Sequence, residues 1–582
     1  MPFPACLAAA ALAASTPTAA TIAAVPIEQL HGRGAVVPFT EYEAENGCSN
    51  GILLGPSRAL YSIAAEASGR RAVRLDRPGQ FVEFTLRRSA NAVTVRYAVP
   101  DSVHGSGLSG TLGLYAAGER LGSLGVTSRY GWYYGAYPFT NHPSDGRGHH
   151  MFDEARLRFA KVLPAGTRVR IAVGPEDSLP WYVVDLADFE LVPPPLARPA
   201  ASLDVVSFGA DPSGQRESSS AFAKAIAAAR IRHRPVWIGP GTYHVDRHLM
   251  VDRVAINGAG PWYSILSGDG VGLYGSAHAS AVHLAHFAII GDVRERNDRT
   301  KLAAVGGTLG GGSTIDDLWL QHHKSGVWLD GPLDRVTIRN MRILDNTADG
   351  INLRRGVRDA RIENVFVRNS GDDGIALWSH YAADSGDVIA HSTVVAPMLA
   401  NGIAVYGGRD IRLTANVVAD TLTQGGGIHL GNRFRAVPFS DAISINDNLL
   451  VRSGSFDPNW QFGVGALWLY ALDAPIRADI RVSRTEIVDS TITALQFIGK
   501  PIRSVRLART TVDGAAGWLQ LQGGGDALVS DLRARNIEVP GYLRCTARFR
   551  LRLQRVAADL AAPSTRLCGR LDAATVERRL GQ

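Results

Sequence analysis

Gly350-Ile351-Asn352-Leu353 returns downstream as Gly374-Ile375-Ala376-Leu377. The same Gly–apolar–x–apolar core stands upstream as Gly326-Val327-Trp328-Leu329, and further on as Gly402-Ile403-Ala404-Val405 and Gly427-Ile428-His429-Leu430. A second mark accompanies them: Asn340, Asn364, Thr393 and Asn416 each lead an apolar run such as Val365-Phe366-Val367, and Asp317 holds that place one repeat before Asn340. Both marks recur at roughly 24 residues, a period that belongs to solenoids or propellers. Short apolar strands, an inward polar ladder position and a glycine turn in each coil predict a right-handed parallel β-helix. No 3.6-residue period persists over this region, which excludes helical repeats.

Working outward, Leu495-Gln496-Phe497 and Leu519-Gln520-Leu521 stand one such period apart and carry the coils to about residue 540. Upstream, Phe208-Gly209-Ala210, an Ala-rich amphipathic stretch from about Ser218 to Arg230, and Pro240-Gly241-Thr242-Tyr243 follow one another. That order resembles the opening cap of pectin-lyase-like β-helices, and a solenoid needs one because its first coil would otherwise expose its core. Leu191-Val192-Pro193-Pro194-Pro195 begins a proline-rich linker. Before it, Phe81-Val82-Glu83-Phe84-Thr85-Leu86 and Thr167-Arg168-Val169-Arg170-Ile171 alternate apolar and polar residues, as the strands of a β-sandwich do. The expected all-β organisation is a signal peptide over 1–27, a sandwich over 28–192, a linker over 193–202, a β-helix over 203–540 and a C-terminal cap or tail over 541–582.

The 582 residues include 62 glycines, as a turn-rich β chain requires, and the formal charge of +7 is that of a well-solvated surface. No basic stretch is interleaved with aromatics, so nucleic acid is not an expected partner. Ala5-Cys6-Leu7-Ala8-Ala9-Ala10-Ala11-Leu12-Ala13-Ala14 reads as the apolar core of a secretory signal, too short to span a bilayer. The expected product is a secreted, extracellular monomer with no membrane partner. Cys545 and Cys568 are near enough in sequence to pair in an oxidising compartment, which would leave Cys48 unpaired; three buried thiols is the alternative.

The residues before the five core glycines are Ser325, Asp349, Asp373, Asn401 and Gly426. Asp349 and Asp373 therefore occupy one place in successive coils, where neighbouring strands lie ~4.8 Å apart. Asp372 adjoins them. Three carboxylates so close repel, so at least one is expected to keep its proton near neutral pH. A protonated carboxyl beside an ionised one is what glycoside hydrolysis needs. Two other readings use the same residues: local Asp-Gly turns, and a calcium site. Consecutive strand residues face opposite sides, so Asp372 and Asp373 share a groove only if the chain bends between Gly371 and Gly374.

Glu43-Ala44-Glu45 opening the sandwich and Asp185-Leu186-Ala187-Asp188 closing it resemble jelly-roll carbohydrate-binding modules. That resemblance implies a structural calcium between Glu43, Glu45 and Asp188. Polygalacturonases share an Asp followed a coil later by Asp-Asp, but their Gly-His-Gly and Arg-x-Lys motifs are not found downstream here. Asn346-Thr347-Ala348-Asp349-Gly350 with Gly371-Asp372-Asp373-Gly374, behind a sandwich carrying Glu66-Ala67-Ser68-Gly69-Arg70 and Tyr137-Pro138-Phe139-Thr140-Asn141, resembles glycoside hydrolase family 87, the α-1,3-glucanases (mutanases) and mycodextranases, from about residue 38 to 540.

The resemblance implies an inverting hydrolase of α-1,3 linkages in an α-glucan, with no cofactor for catalysis. Asp372 would be the general acid, and Asp349 and Asp373 would activate water. A neutral glucan asks for aromatic platforms, for which Trp378, Tyr406 and Trp468, with His429, are candidates; each also reads as a packed residue. A pectin-type hydrolase or lyase, and a non-catalytic β-helical adhesin, are the alternative functions.

Overall fold

The computed structural model describes residues 32–137, 139–149 and 152–569. The 1–27 leader and Cys6 lie outside the described residues. Val37–Pro193 forms one compact unit, and Gly32–Val36 belongs with a second that resumes at Pro194.

The first unit is a sandwich of two antiparallel sheets. One runs Asp153–Leu163, Ala90–Ala98, Tyr182–Glu190, Ala72–Leu75, Ile52–Leu54, with Phe39–Glu43 also paired to Tyr182–Glu190. The other runs Cys48–Ser49, Phe81–Thr85, Arg168–Ala172, Ser109–Ala116, Glu119–Thr127. Alternate side chains turn inward: Val93, Val95 and Tyr97 from one sheet meet Val82, Phe84, Leu112, Leu114, Val169 and Ile171 from the other.

The second unit is a parallel β-helix. The capping helix forms over Ser219–Arg232 and buries Phe222, Ala225, Ile226 and Ala229 at the end of the core. Among the described residues, thirteen parallel strands make one sheet, including Ser325–Asp330, Ile351–Arg354, Ile375–Trp378, Ile403–Tyr406 and Ile428–Asn432. A 24-stranded parallel sheet takes two strands from most coils, as Thr337–Arg339 and Arg342–Asn346 pair with Arg361–Glu363 and Phe366–Ser370. The repeat is explained by stacking: Ile351, Ile375, Ile403, Ile428 and Leu467 lie in one inward row, and Leu353, Leu377, Val405, Leu430 and Leu469 in the next. Each buried side chain contributes roughly 1.5–3 kcal/mol, so a coil that slips register loses several at once. Pairing runs past residue 540: Phe549–Gln554 joins Gly525–Ser530, and Pro563–Ser564 joins Tyr542–Arg544.

The polar mark divides into three positions, with Thr393 in the strand row of Phe366 and Val417. Asn340 and Asn364 have φ of 56° and 55° and sit at outward left-handed turns, with Asn364 Nδ2 donating to Asn340 Oδ1 at 2.8 Å. Their counterparts in later coils are His391 and Ala415, with φ of 47° and 55°. The buried ladder is one residue further on, where Ser392 N donates to Asn416 Oδ1 and Asn416 N to Asn448 Oδ1. Asn340 and Asn364 thus correct the expected inward register: Asn tolerates the left-handed turn, and that selected it there.

Cys545 and Cys568 are disulfide-bonded. Cys48, expected unpaired, is disulfide-bonded as well. Among the described residues no cysteine is free, and no helix is long and apolar enough to cross a membrane.

Candidate active site

Asp349, Asp372 and Asp373 each bring one carboxylate oxygen to within 4.8 Å of the others. Asp349 and Asp373 are placed by the ladder: Gly350 N donates to Asp373 O at 3.1 Å, and Ile351 pairs with Ile375. Asp372 joins them because the strand Phe366–Ser370 has ended and Ile375–Trp378 has not begun. The chain between them turns a corner, so strand alternation does not apply. Gly371 N donates to Asn346 O at 2.8 Å, and a Cβ on Gly371 would stand 2.3 Å from Thr347 O, so the close approach requires glycine. Asp372 Oδ1 then accepts from Asp373 N at 3.0 Å.

The three carboxyls are not equivalent. Asp349 is buried and raised well above the ordinary carboxyl range, first by desolvation, then by the charges of Asp372 and Asp373; Arg296 and an Asn352 hydrogen bond at 3.3 Å oppose this. Asp373 is buried and pushed up to about 7 by desolvation and then by Asp372. Opposing that rise, Asp373 Oδ1 accepts from Asn401 N at 3.0 Å and Asn401 Nδ2 at 2.8 Å, and Oδ2 accepts from Tyr406 Oη at 2.8 Å. Asp372 is partly exposed and forms an ion pair with Arg296, Nη2 to Oδ2 at 2.6 Å. Two unit charges 4.8 Å apart repel by on the order of 3 kcal/mol at an effective dielectric of ~20, so the cluster keeps a proton at neutral pH.

Two cations that carried no sequence signal reach this cluster. Arg296 comes from the loop between strands His283–Ile290 and Ala303–Gly307. Lys324 precedes strand Ser325–Asp330, is depressed by desolvation, and feels the charges of Asp298 and Asp349. The Arg296 guanidinium sits at Asp372, where a bound cation would need that carboxylate, so the triad fits acid–base work better than a calcium site. Loops of this kind lack the coil repeat, and only the fold places them here.

Trp378 stands in an outward row with Arg354, Tyr406 and Gly431. It is half-buried, its Nε1 donates to Phe434 O at 3.0 Å, and it stacks on His380 with ring centroids 4.2 Å apart. The Arg354 guanidinium lies 5.4 Å from the Trp378 ring and 5.2 Å from that of Trp328, one coil to either side. Tyr406, His429 and Trp468 are 7%, 0% and 2% exposed, so they form a layer behind Asp373 rather than open platforms. Trp468 Nε1 donates to Asn401 Oδ1 at 2.9 Å, and His429 stacks on Trp468 at 4.0 Å. His429 Nδ1 faces the Trp468 carbonyl at 3.2 Å, which only accepts, so the proton is on Nδ1; burial holds the imidazole neutral.

Glu43, Glu45 and Asp188, expected to hold calcium, come from the opening and closing segments of the sandwich sheet. Glu45 lies in a 3-10 turn, Ala44–Asn46, not on the strand with Glu43. Asp188 pairs across from Glu41, not Glu43. Glu43 accepts from Ser68 Oγ at 2.8 Å, and burial, then Glu41, Asp185 and Glu45, raise its carboxyl.

Residues 36–192 match the family model of the α-1,3-glucanase catalytic domain D1, and residues 215–514 that of domain D2. Among solved structures, the catalytic unit of a thermostable GH87 α-1,3-glucanase from Streptomyces thermodiastaticus strain HF3-3 is 36% identical, with a TM-score of 0.83 over 93% of this chain and 99% of that one. The Agl-KA catalytic domain is 26% identical, with a TM-score of 0.85 over 90% and 98%. A GH87 α-1,3-glucanase catalytic domain in complex with nigerose is 26% identical, with a TM-score of 0.82 over 90% and 99%. Further structures of such a domain carry alanine at one of three aspartates, with nigerose or tetrasaccharides. The offset from the first of those aspartates to the second equals that from Asp349 to Asp372, and the third adjoins the second. Among curated proteins nothing matches the chain.

Proposed function

The chain belongs to glycoside hydrolase family 87, the α-1,3-glucanases, and from that premise we propose that it cleaves α-1,3-glucosidic linkages of an α-glucan with inversion, using Asp349, Asp372 and Asp373. The observation that carries this reading is the triad itself: three carboxylates converge within 4.8 Å, two of them raised. Its order along the chain, one aspartate and then an adjacent pair a coil later, is that of the aspartates replaced in the related saccharide complexes.

In the proposed step Asp372 gives its proton to the glycosidic oxygen as the C1–O bond breaks. Asp349 and Asp373 hold a water on the opposite face of the sugar; its oxygen bonds to C1 and its proton passes to their carboxylate. General acid–base transfer of this kind contributes typically ~10²–10⁴-fold. The triad is tighter than the ~6.5–9.5 Å gap of the usual inverting pair, so the water sits against the acid cluster and inversion rests on the family. Trp378, half-buried in its row, offers the sugar a face; Tyr406, His429 and Trp468 hold Asp373 and its surroundings in place.

A second allocation of roles is favoured by the Arg296–Asp372 ion pair. In it Asp372 acts as the ionised partner and the buried Asp373 supplies the proton.

The reading extends to the setting: a secreted enzyme acting as a single chain. The apolar segment at residues 5–14 and the Cys545–Cys568 disulfide support secretion.

The deciding experiment incubates the protein with α-1,3-glucan, nigeran, dextran and polygalacturonate and follows the first product by proton NMR. Release of β-anomeric nigero-oligosaccharides from α-1,3-glucan is expected. An α-anomeric first product would overturn inversion, and cleavage of polygalacturonate alone would overturn the substrate.

A further inference from the structure

Arg296 lies far upstream of Asp372 in sequence, in a loop with no repeat signature, yet it is buried against the triad. Its guanidinium is a fork with two ends in use: Nε donates to Asp298 Oδ1 at 2.9 Å, and Nη2 meets Asp372 Oδ2 at 2.6 Å. Asp298 is close by on the same loop, so the fork is anchored locally and offered to the corner Gly371–Gly374. Planar bridging of two carboxylates is a task for arginine, since an ammonium offers a point charge without fixed directions.

We infer that Arg296 is a positioning residue for the acid chemistry: anchored on Asp298, it holds Asp372 in the groove with Asp349 and Asp373 and supplies positive charge that lets three carboxylates share the space. The inference rests on the acid–base reading of the triad.

The groups facing Arg296 are Asp298 on its own loop, Asp349 before strand Ile351–Arg354, Asp372 at the corner, and Lys324 before strand Ser325–Asp330. Lys324 adds a point charge beside Asp349, with its Nζ donating to the Thr300 carbonyl, so the planar fork belongs to Arg296. Arg296 also bears on Asp349, which it pulls toward the ionised form against desolvation and its two acidic neighbours. Removing the guanidinium leaves the same carboxylates with less opposing charge, so they hold protons to higher pH.

The test compares Arg296→Gln, Arg296→Lys and Asp298→Asn with the wild type, each checked for folding by its melting curve. Arg296→Gln is expected to lower kcat about 100-fold with KM little changed, and to move both limbs of the kcat/KM–pH profile upward by about 1 unit. Arg296→Lys is expected to restore the limbs but not kcat, because it keeps charge and loses the fork. Asp298→Asn, which keeps the Arg296 charge and loosens its anchor, is expected to lower kcat without moving the limbs. Limbs unmoved in Arg296→Gln, or wild-type kcat in Arg296→Gln or Asp298→Asn, would overturn the inference. Carbon-13 NMR titration of labelled aspartates reads the same point without turnover. Triad midpoints that rise in Arg296→Gln uphold the role even if the wild type spares α-1,3-glucan, in which case the reaction alone has failed; unmoved midpoints overturn the role whatever the activity. If Arg296→Gln does not fold, the Arg296→Lys and Asp298→Asn arms decide.

Discussion

Tyr406 donates its phenolic hydrogen to Asp373 Oδ2 at 2.8 Å from the strand one coil further along. By sequence alone this ring was a candidate sugar platform. In the fold it is buried, burial and then Asp373 raise its phenol, and it therefore stays a donor throughout the working pH range.

Tyr406→Phe removes that donor while keeping the ring. A hydrogen bond to the charged carboxylate favours ionisation, so its loss lifts Asp373 further above about 7. With Asp373 as base, the acidic limb of kcat/KM moves to higher pH and kcat falls by about 10-fold or more. A pH–rate profile of the variant checks it; an unmoved limb with full activity would remove Tyr406 from the support of Asp373.

Asp372→Asn is expected to keep the fold and lose about 10²–10⁴-fold in kcat on α-1,3-glucan. A glycosyl fluoride substrate needs no protonation of its leaving group. Recovery of turnover on the fluoride by Asp372→Asn, but not by Asp373→Asn, identifies Asp372 as the acid. The reverse pattern selects the second allocation.

Asp387 provides a pH-linked stability test away from the triad. It is buried, its Oδ1 accepts from Ala360 N at 2.8 Å, its Oδ2 has no partner, and desolvation, then Asp384 and Asp359, push it up to about 8. A raised folded-state pKa means that the folded chain binds the proton more tightly than the unfolded one. Stability therefore falls as pH rises from about 4 toward 8, and is highest below that window. Asp387→Asn keeps the acceptor and removes the charge. It is expected to stabilise the protein at pH 8 by several kcal/mol and to change little at pH 4. Denaturant melts at the two pH values measure this; an equal effect at both would refute the linkage.

Chelation is expected to leave turnover unchanged. Arg296 already pairs with Asp372 at the triad, where a catalytic cation would need that carboxylate. A loss of activity on dialysis against chelator, restored by calcium, would contradict this.

The recurring Gly–apolar–x–apolar core made the solenoid legible, because a parallel stack puts residues one coil apart in register and so repeats whatever one coil needs. That same register by itself carries Asp349 and Asp373 to one edge of the sheet. It misplaced Asn340 and Asn364 by one residue, since an outward left-handed turn and an inward ladder both favour Asn.

Three decisions belonged to the tertiary structure alone. Asp372 enters the groove because the chain corners at Gly371, and a corner is set by contact with Thr347 in the previous coil. Arg296 arrives from a non-repeating loop, and Trp468 turns from platform to brace because Val464 and Phe462 pack around it. Sequence periodicity records what each coil demands of the next. It does not record the loops that fold back over the sheet, and those supply the charge and the burial on which the proposed chemistry depends.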